Sequence, residues 1–415
     1  MIAPDATSTA FVDPRGPCPG ETKDDLVRRG ILAEDRAFTG PYGIQLGIEG
    51  TCNYACVFCG EFSSLNPGTR QTPPHDGHMP EAVFHRLVES AARLNVEQVS
   101  IAGMGEPLLH PHALDFFARV KAAGIRLMVT TNGSALTERH ADRLIGVGID
   151  ILNVSFSAGS EDTYGAVHGA RHSRQFGIVL ERLRHIAAEK RRCGSSFPRL
   201  VMRCTVIKDN IAEIGDWVDL AIECGANELV LQNFVPPAFG RHLVPSPDEK
   251  AAAAERLRSC AARMHAAGVA SNCEHMISLF EGAGSQPPTF EGYPLGTEFY
   301  HDHPCLVGWT YAVILESGYV MPCCYCNTPM GNIYEQSLEE IWHGEMYSAF
   351  RRRMRFLPDH RHEEPSCVCL SGCGSVKDNI RTIKRLRLEP DLGGDDLKCG
   401  RKTDWTLMNT GTRRG

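Results

Sequence analysis

Apolar residues recur along this chain in two rhythms that take turns. Runs at 43–48, 98–102, 127–131, 151–156, 200–207 and 228–232 alternate apolar with polar positions or stay apolar throughout, which predicts strands. Between them, stretches at 80–94, 111–123, 137–147, 175–192 and 211–224 repeat apolar residues every three or four positions, the period of a helix with one buried face. Strands and helices in regular alternation predict a parallel sheet with right-handed crossovers, either an open doubly wound sheet or a full or partial barrel. Periodicity does not choose between these. Residues 1–40 read as an irregular lead-in with one short amphipathic piece at 23–32. The Pro- and Gly-rich stretches 234–248 and 282–296 flank a helix at 249–267 and read as connection or lid material.

Composition narrows the class. A chain of 415 residues without a basic-then-apolar N-terminal segment or any run long enough to span a bilayer reads as a soluble, non-exported protein, with no membrane partner. Its 17 cysteines then point to a reducing, cytoplasmic setting in which thiols serve metals or chemistry rather than bridges. The net charge of −7 argues against binding nucleic acid through its phosphates. The basic runs at 351–355 and 384–387 are expected to be solvated helix faces.

The chemistry concentrates in the loop after the first strand, where Cys52, Cys56 and Cys59 form a Cys-x3-Cys-x2-Cys array. Three soft thiolates on one short loop suit an iron–sulfur cluster better than a disulfide framework or a closed four-ligand zinc site, and the missing fourth ligand leaves one iron open. With Phe58 just before the last cysteine, this loop resembles the signature of the radical S-adenosylmethionine (SAM) superfamily. The resemblance implies an α/β fold, a partial (β/α)6 TIM-type barrel whose chemistry lies at the C-terminal ends of its strands.

Residues at those strand ends match further family positions. Gly103-Met104-Gly105-Glu106-Pro107 looks like the family's glycine-glycine-glutamate motif, which implies Met104, Gly105 and Glu106 at the cofactor, with Glu106 pairing to the SAM ammonium. Thr131 and Asn132 after the third strand and Ser155 at the end of the fourth resemble positions that touch the ribose and methionyl parts; ordinary turn chemistry is the alternative for all of them. Arg203 could reach the SAM carboxylate, but an alternating strand residue is as often simply exposed, and it is not counted.

After residue 300 cysteines return at 305, 323, 324, 326, 367, 369, 373 and 399, with Gly318 between the first two. This pattern resembles the SPASM or Twitch extension of radical SAM enzymes, a small cysteine-rich C-terminal domain that implies at least one auxiliary four-iron cluster. The ligands the resemblance implies are Cys305, Cys323, Cys369 and Cys373, with Cys326 and Cys367 as substitutes; the spacing after the helix departs from the full SPASM pattern, and a structural zinc site, which four thiolates also close, is the lesser alternative. The expected organisation is a lead-in at 1–40, the barrel at 41–235, a connecting helix and loops at 236–298, the auxiliary-cluster domain at 299–400 and a tail at 401–415.

The function implied is reductive cleavage of SAM to a 5′-deoxyadenosyl radical that takes hydrogen from an unactivated carbon, with an electron donor such as flavodoxin or ferredoxin. Peptide-modifying relatives often carry an N-terminal leader-recognition domain, and only about 40 irregular residues precede the first strand, so the expected substrate is a small molecule such as an aminosugar, dehydrogenated, or a short peptide segment. The alternatives are modification or epimerisation of a ribosomally made peptide or protein side chain, RNA methylation, and a non-catalytic iron–sulfur electron carrier.

Overall fold

A computed structural model of the chain describes residues 20–66, 77–169, 172–282, 289–290, 293–294, 298–357 and 373–388. Strands β1 (Gly43–Leu46), β2 (Gln98–Ile101), β3 (Arg126–Thr131), β4 (Ile151–Ser155), β5 (Arg199–Val206) and β6 (Glu228–Asn233) lie side by side in chain order and all run parallel. A short β7 (Ala270–Ser271) continues the sheet beyond β6, again parallel. The two ends of the sheet do not meet, so this is a partial barrel.

Helices cover its outer face, because each crossover carries one apolar stripe. In α2 (Glu81–Arg93), Val83, Phe84, Leu87, Val88 and Ala91 are buried at helical spacing, and Phe84 stacks on Phe116 of α3 (Ala113–Ala122) with ring centroids 3.8 Å apart. The following helices are α4 (Glu138–Val147), α5 (Glu161–His168), α6 (Gln175–Arg192), α7 (Ile214–Glu223), α8 (Pro247–Ala266) and α9 (Cys273–Glu281). Their starts are written in the sequence: Thr137 caps α4, Ser160 caps α5, and Ser246 with Glu249 forms a capping box on α8. Ser160 and its acidic neighbours signal α5, which the apolar period alone does not reveal; Gly165 and the eight-residue length blur it.

The C-terminal region is part of the same sheet. After the two-residue strands β8 (Thr289–Phe290) and β9 (Tyr293–Pro294) and the single turns α10 (Phe299–Asp302) and α11 (Val307–Thr310), strand β10 (Tyr311–Ile314) pairs in parallel with β1, Ile44 opposite Ala312. β11 (Tyr319–Met321) and β12 (Gly331–Asn332) then extend the edge antiparallel. Gly318 makes the hairpin turn with φ of +86°, and a Cβ there would stand 2.3 Å from Asn332 Oδ1. Helices α12 (Leu338–His343), α13 (Glu345–Arg355) and α14 (Val376–Arg385) complete the described residues. The barrel side and the cysteine-rich side thus share one ten-stranded sheet.

Residues 23–42 clasp the two together. The amphipathic piece at 23–32 is α1 (Lys23–Leu32), and beyond it the Trp309 Nε1 donates to Arg36 O at 2.7 Å and the Trp342 Nε1 to Thr39 O at 2.9 Å. Arg385 of α14 pairs with Asp24 at 2.8 Å. Two sequence expectations fail here. The basic run at 351–355 is not a solvated face, because Arg351 is fully buried and Arg355 nearly so. Its sequence period says nothing of the aromatic wall it meets: the Arg351 guanidinium lies 4.6 Å from the Trp342 ring and 4.9 Å from Tyr347, and its Nε donates to Gly308 O at 2.8 Å. Cys193, Cys204, Cys224 and Cys260 all fall in strand or helix patterns of the sequence, which predicts core positions; Cys204, Cys224 and Cys260 are buried, but Cys193 follows the end of α6 and is exposed.

The Trp342→Ala variant removes a fully buried indole, its stacking on Arg351 and its hydrogen bond to the N-terminal segment. It should cost about 3–5 kcal/mol of stability, read as a lowered urea midpoint of the apo protein. A midpoint unchanged from the parent would mean that the C-terminal helices are not docked on residues 23–42.

Candidate active site

The loops that leave the C-terminal ends of β1 to β5 converge. The first of them, after β1, carries Cys52, Cys56 and Cys59, all half-buried. Its entry is held by Glu49, which is 1% exposed: Oε1 accepts from Thr51 N at 2.9 Å and from Thr51 Oγ1 at 2.6 Å, and Oε2 meets His78 Nδ1. Its far side is tied to the end of α5 by a bond from Val57 N to Val167 O, 2.9 Å, and by the approach of Cys56 Sγ to His168 Nδ1 at 3.0 Å. Neither Glu49 nor His168 carries a sequence signal of its own.

The turn after β2 locks against this loop. Gly105 is obligatory, since a Cβ would lie 2.4 Å from Thr51 O and 2.5 Å from Glu49 O. Met104 lies against the backbone of Gly47, where an added Cβ would meet its Cγ at 2.8 Å. Glu106 is buried, and its carboxylate accepts from Thr131 Oγ1 at 2.6 Å, Leu108 N at 3.1 Å and Asn132 N at 2.6 Å. A carboxylate offers about four acceptor positions, so three protein donors leave it about one for a ligand ammonium. Asn132 carries the link onward: its Nδ2 donates to Asn53 Oδ1 at 2.9 Å and lies 3.8 Å from Cys52 Sγ. Met104, Gly105, Glu106, Thr131 and Asn132 therefore stand in one network with the cysteine loop. Ser155 ends β4 next to Arg203 of β5. Arg203 is half-buried with an unpartnered Nε, and burial lowers its pKa against the opposing charge of Glu228, so it is not simply an exposed strand residue.

Burial opposes ionisation of all three thiols. Burial pushes the Cys52 thiol up to about 11, with Glu106 and Cys59 adding to the effect, and burial together with the charges of Cys59 and Cys52 pushes Cys56 well above its ordinary range. Burial also raises Cys59. Three such thiols ionise together only when a thiophilic cationic centre takes the charge, and loading it releases their protons. Among the described residues no three His, Cys, Asp or Glu side chains gather closely enough for a single metal ion, whereas a polynuclear cluster binds each cysteine through a different iron. The donor set fits an iron–sulfur cluster.

A second thiol group lies beside the sheet extension. Cys305, Cys323 and Cys326 are buried and Cys373 is half-buried. The Tyr300 hydroxyl lies 3.1 Å from Cys373 Sγ, while Asn379 Nδ2 reaches that hydroxyl at 2.9 Å and Cys305 Sγ at 3.9 Å, so Cys305 and Cys373 meet around α14. Cys323 and Cys326 both lie close enough to the Tyr347 hydroxyl for their charges to act on it, so the two thiols share that neighbourhood. Cys367, Cys369 and Cys399 lie outside the described residues.

A three-thiol loop at the C-terminal edge of a partial parallel barrel, with a second thiol group on the extended sheet, defines an iron–sulfur α/β-barrel enzyme. Comparison makes the class specific: residues 49–221 match the Radical SAM superfamily and residues 305–374 match SPASM, an iron–sulfur cluster-binding domain, and the chain belongs to this superfamily. It is a radical SAM enzyme that uses a SAM-binding four-iron cluster, SAM and auxiliary iron–sulfur binding. The chain is 25% identical over 395 residues to a PqqA peptide cyclase of Streptomyces rochei, covering 90% of this chain and 93% of that one. It is 24% identical over 373 residues to the tungsten-containing aldehyde ferredoxin oxidoreductase cofactor-modifying protein of Pyrococcus furiosus, covering 86% and 93%. The crystal structure of Streptococcus suis SuiB bound to precursor peptide SuiA shares its fold with a TM-score of 0.57 at 17% identity, over 85% of this chain and 75% of that one. Among the described residues no helix is long and apolar enough to cross a membrane.

Burial raises the Glu106 carboxyl from 4.5 to about 6, outweighing its three donors. Between those values the folded chain keeps a proton that the unfolded chain has released, so this contribution to stability is complete below about pH 4.5 and lost as pH rises through about 6. Relative to Glu106→Gln, which cannot titrate, the apo parent should lose about 2 kcal/mol across that window in urea unfolding. Parallel pH profiles would show that the carboxyl is not buried as described.

Proposed function

We propose that this radical SAM enzyme modifies a side chain of a peptide, by net removal of two hydrogens. The observation that carries the reading is the relation to the PqqA peptide cyclase of Streptomyces rochei, which spans nearly the whole of both chains. The sheet is compatible with it, because among the described residues β12 and β7 are unpaired edges, the kind of edge to which an extended chain adds as a further strand. The expectation of a small molecule rested on the shortness of the segment before β1, which carries no weight beside that relation. A second reading keeps a small-molecule substrate, favoured by the similarity to a protein named for modifying a cofactor.

In this proposal Cys52, Cys56 and Cys59 hold the SAM-binding cluster. When bound, cluster and SAM supply a 5′-deoxyadenosyl radical able to take a hydrogen atom from an unactivated carbon. Gly105 seats the turn directly on the cysteine loop, the remaining acceptor position of Glu106 faces the ligand's ammonium, and Arg203 faces its carboxylate. Met104, Thr131 and Asn132 hold that wall in place, and Ser155 offers a hydroxyl to the ligand's polar atoms. Cys305, Cys323, Cys373 and Cys369 hold an auxiliary cluster, which would supply an acceptor for the electron left when a dehydrogenated product forms. Flavodoxin or ferredoxin is the class of donor that would reduce the enzyme.

Incubating the reduced holoenzyme with SAM and short peptides encoded beside its gene should yield a peptide lighter by two hydrogens, with one 5′-deoxyadenosine per product, in mass spectrometry. Turnover of SAM with unchanged peptides, and with a small cofactor precursor altered instead, would favour the second reading. Cys305→Ala combined with Cys323→Ala should leave SAM cleavage measurable and halt product formation. Product at the parent rate in that double variant would remove the electron-accepting role.

A further inference from the structure

His168, the last residue of α5, is 1% exposed and reaches the cysteine loop with its Nδ1 3.0 Å from Cys56 Sγ. Its other nitrogen, Nε2, lies 3.4 Å from the backbone N of Ser157. A backbone amide can only donate, so Nε2 accepts, the ring is neutral, and its one proton sits on Nδ1. The imidazole therefore points an N–H at the sulfur of Cys56.

Among the described residues, the groups that hold it are themselves held. Ser157, which fixes Nε2, is itself held: its Oγ accepts from Thr205 N at 3.0 Å and its carbonyl accepts from Asn210 Nδ2 at 2.9 Å. At the other end of α5, Glu213 accepts from Gly159 N at 2.7 Å, Ser160 Oγ at 2.6 Å and Thr163 Oγ1 at 2.8 Å. Aromatic rings pack around the imidazole, Tyr164 at 4.4 Å, Tyr54 at 5.6 Å and Phe58 at 6.1 Å between centroids. Tyr54 and Tyr164 are joined to each other through their hydroxyls at 3.1 Å. A buried donor locked at both ends and aimed at a thiolate is costly to leave without an acceptor, and an ionised ligand sulfur is a better acceptor than a thiol.

We propose that His168 is a positioning residue that donates a hydrogen bond from Nδ1 to the cluster-ligating Cys56 sulfur and thereby raises the reduction potential of the SAM-site cluster. A hydrogen bond to a ligand sulfur draws charge from it and stabilises the reduced, more negative state, and it is one of the levers by which a protein sets such a potential. The inference rests on Cys52, Cys56 and Cys59 holding that cluster.

The test is an EPR-monitored redox titration of the reconstituted holoenzyme, reading the cluster signal that added SAM perturbs. In His168→Leu the reduced-to-oxidised ratio at a fixed potential should fall about tenfold, which is about 59 mV for a one-electron couple. His168→Asn, whose amide nitrogen can occupy the place of Nδ1, should recover most of the shift. A second measurement needs no substitution: with 15N-labelled histidine in the parent, pulsed EPR of the reduced SAM-site cluster should show a weakly coupled histidine nitrogen. A normal SAM-perturbed signal with no histidine coupling, or a potential unmoved in His168→Leu, would overturn the proposal while leaving the cluster assignment standing. The absence of any SAM-perturbed signal in the parent would overturn both.

Discussion

The arrangement depends on one buried carboxylate. Glu106 cannot sit in the interior without donors, and the donors it finds belong to different strand ends: Leu108 N from its own turn, Thr131 Oγ1 and Asn132 N from β3. Satisfying it fixes the turn after β2 against the end of β3, and Asn132 then hands the constraint to Asn53 and Cys52. Gly105 lets the same turn lie directly on the backbone of the cysteine loop. The thiols are thus placed by a polar network together with the apolar core on which Tyr54, Cys52 and Cys56 pack, which is why a loop with little secondary structure can hold a definite shape.

A second constraint acts from the other side of β1. Because β10 pairs in parallel with β1, the strand that delivers the cysteine loop has its neighbours fixed on both edges, by β2 and by the C-terminal extension. Residues 23–42 lock the extension further through Trp309, Trp342 and Arg385. The two thiol groups therefore stand in a fixed relation through one sheet, the mechanical requirement for any transfer between them.

Much of this was legible in the chain before any coordinates. All six barrel strands and five of their helices follow from apolar spacing, since buried strands and one-sided helices leave different periods. The cysteine loop and the turn at 103–107 were legible because their residue spacing resembles that of the radical SAM superfamily, to which residues 49–221 match. Three features were not. α5 is short and interrupted by Gly165, so its histidine looked like any other residue. Arg351 and Arg355 read as solvent-facing because a charge run carries no sign of the Trp342 and Tyr347 rings that bury one of them. Glu49 is a lone carboxylate in the sequence whose distant partner, His78, reaches it only through the bridge of residue 78 onto 49.

The central claim is that the loop of Cys52, Cys56 and Cys59 holds the cluster that cleaves SAM, with the C-terminal thiols as a separate site. The most direct measurement compares the reconstituted parent with a variant in which these three cysteines are changed to alanine, reading iron content and 5′-deoxyadenosine formed from SAM under reduction. The variant should lose about four irons per chain, the content of one such cluster, and keep the remainder, with no 5′-deoxyadenosine formed. Continued 5′-deoxyadenosine formation by the triple variant would contradict the account.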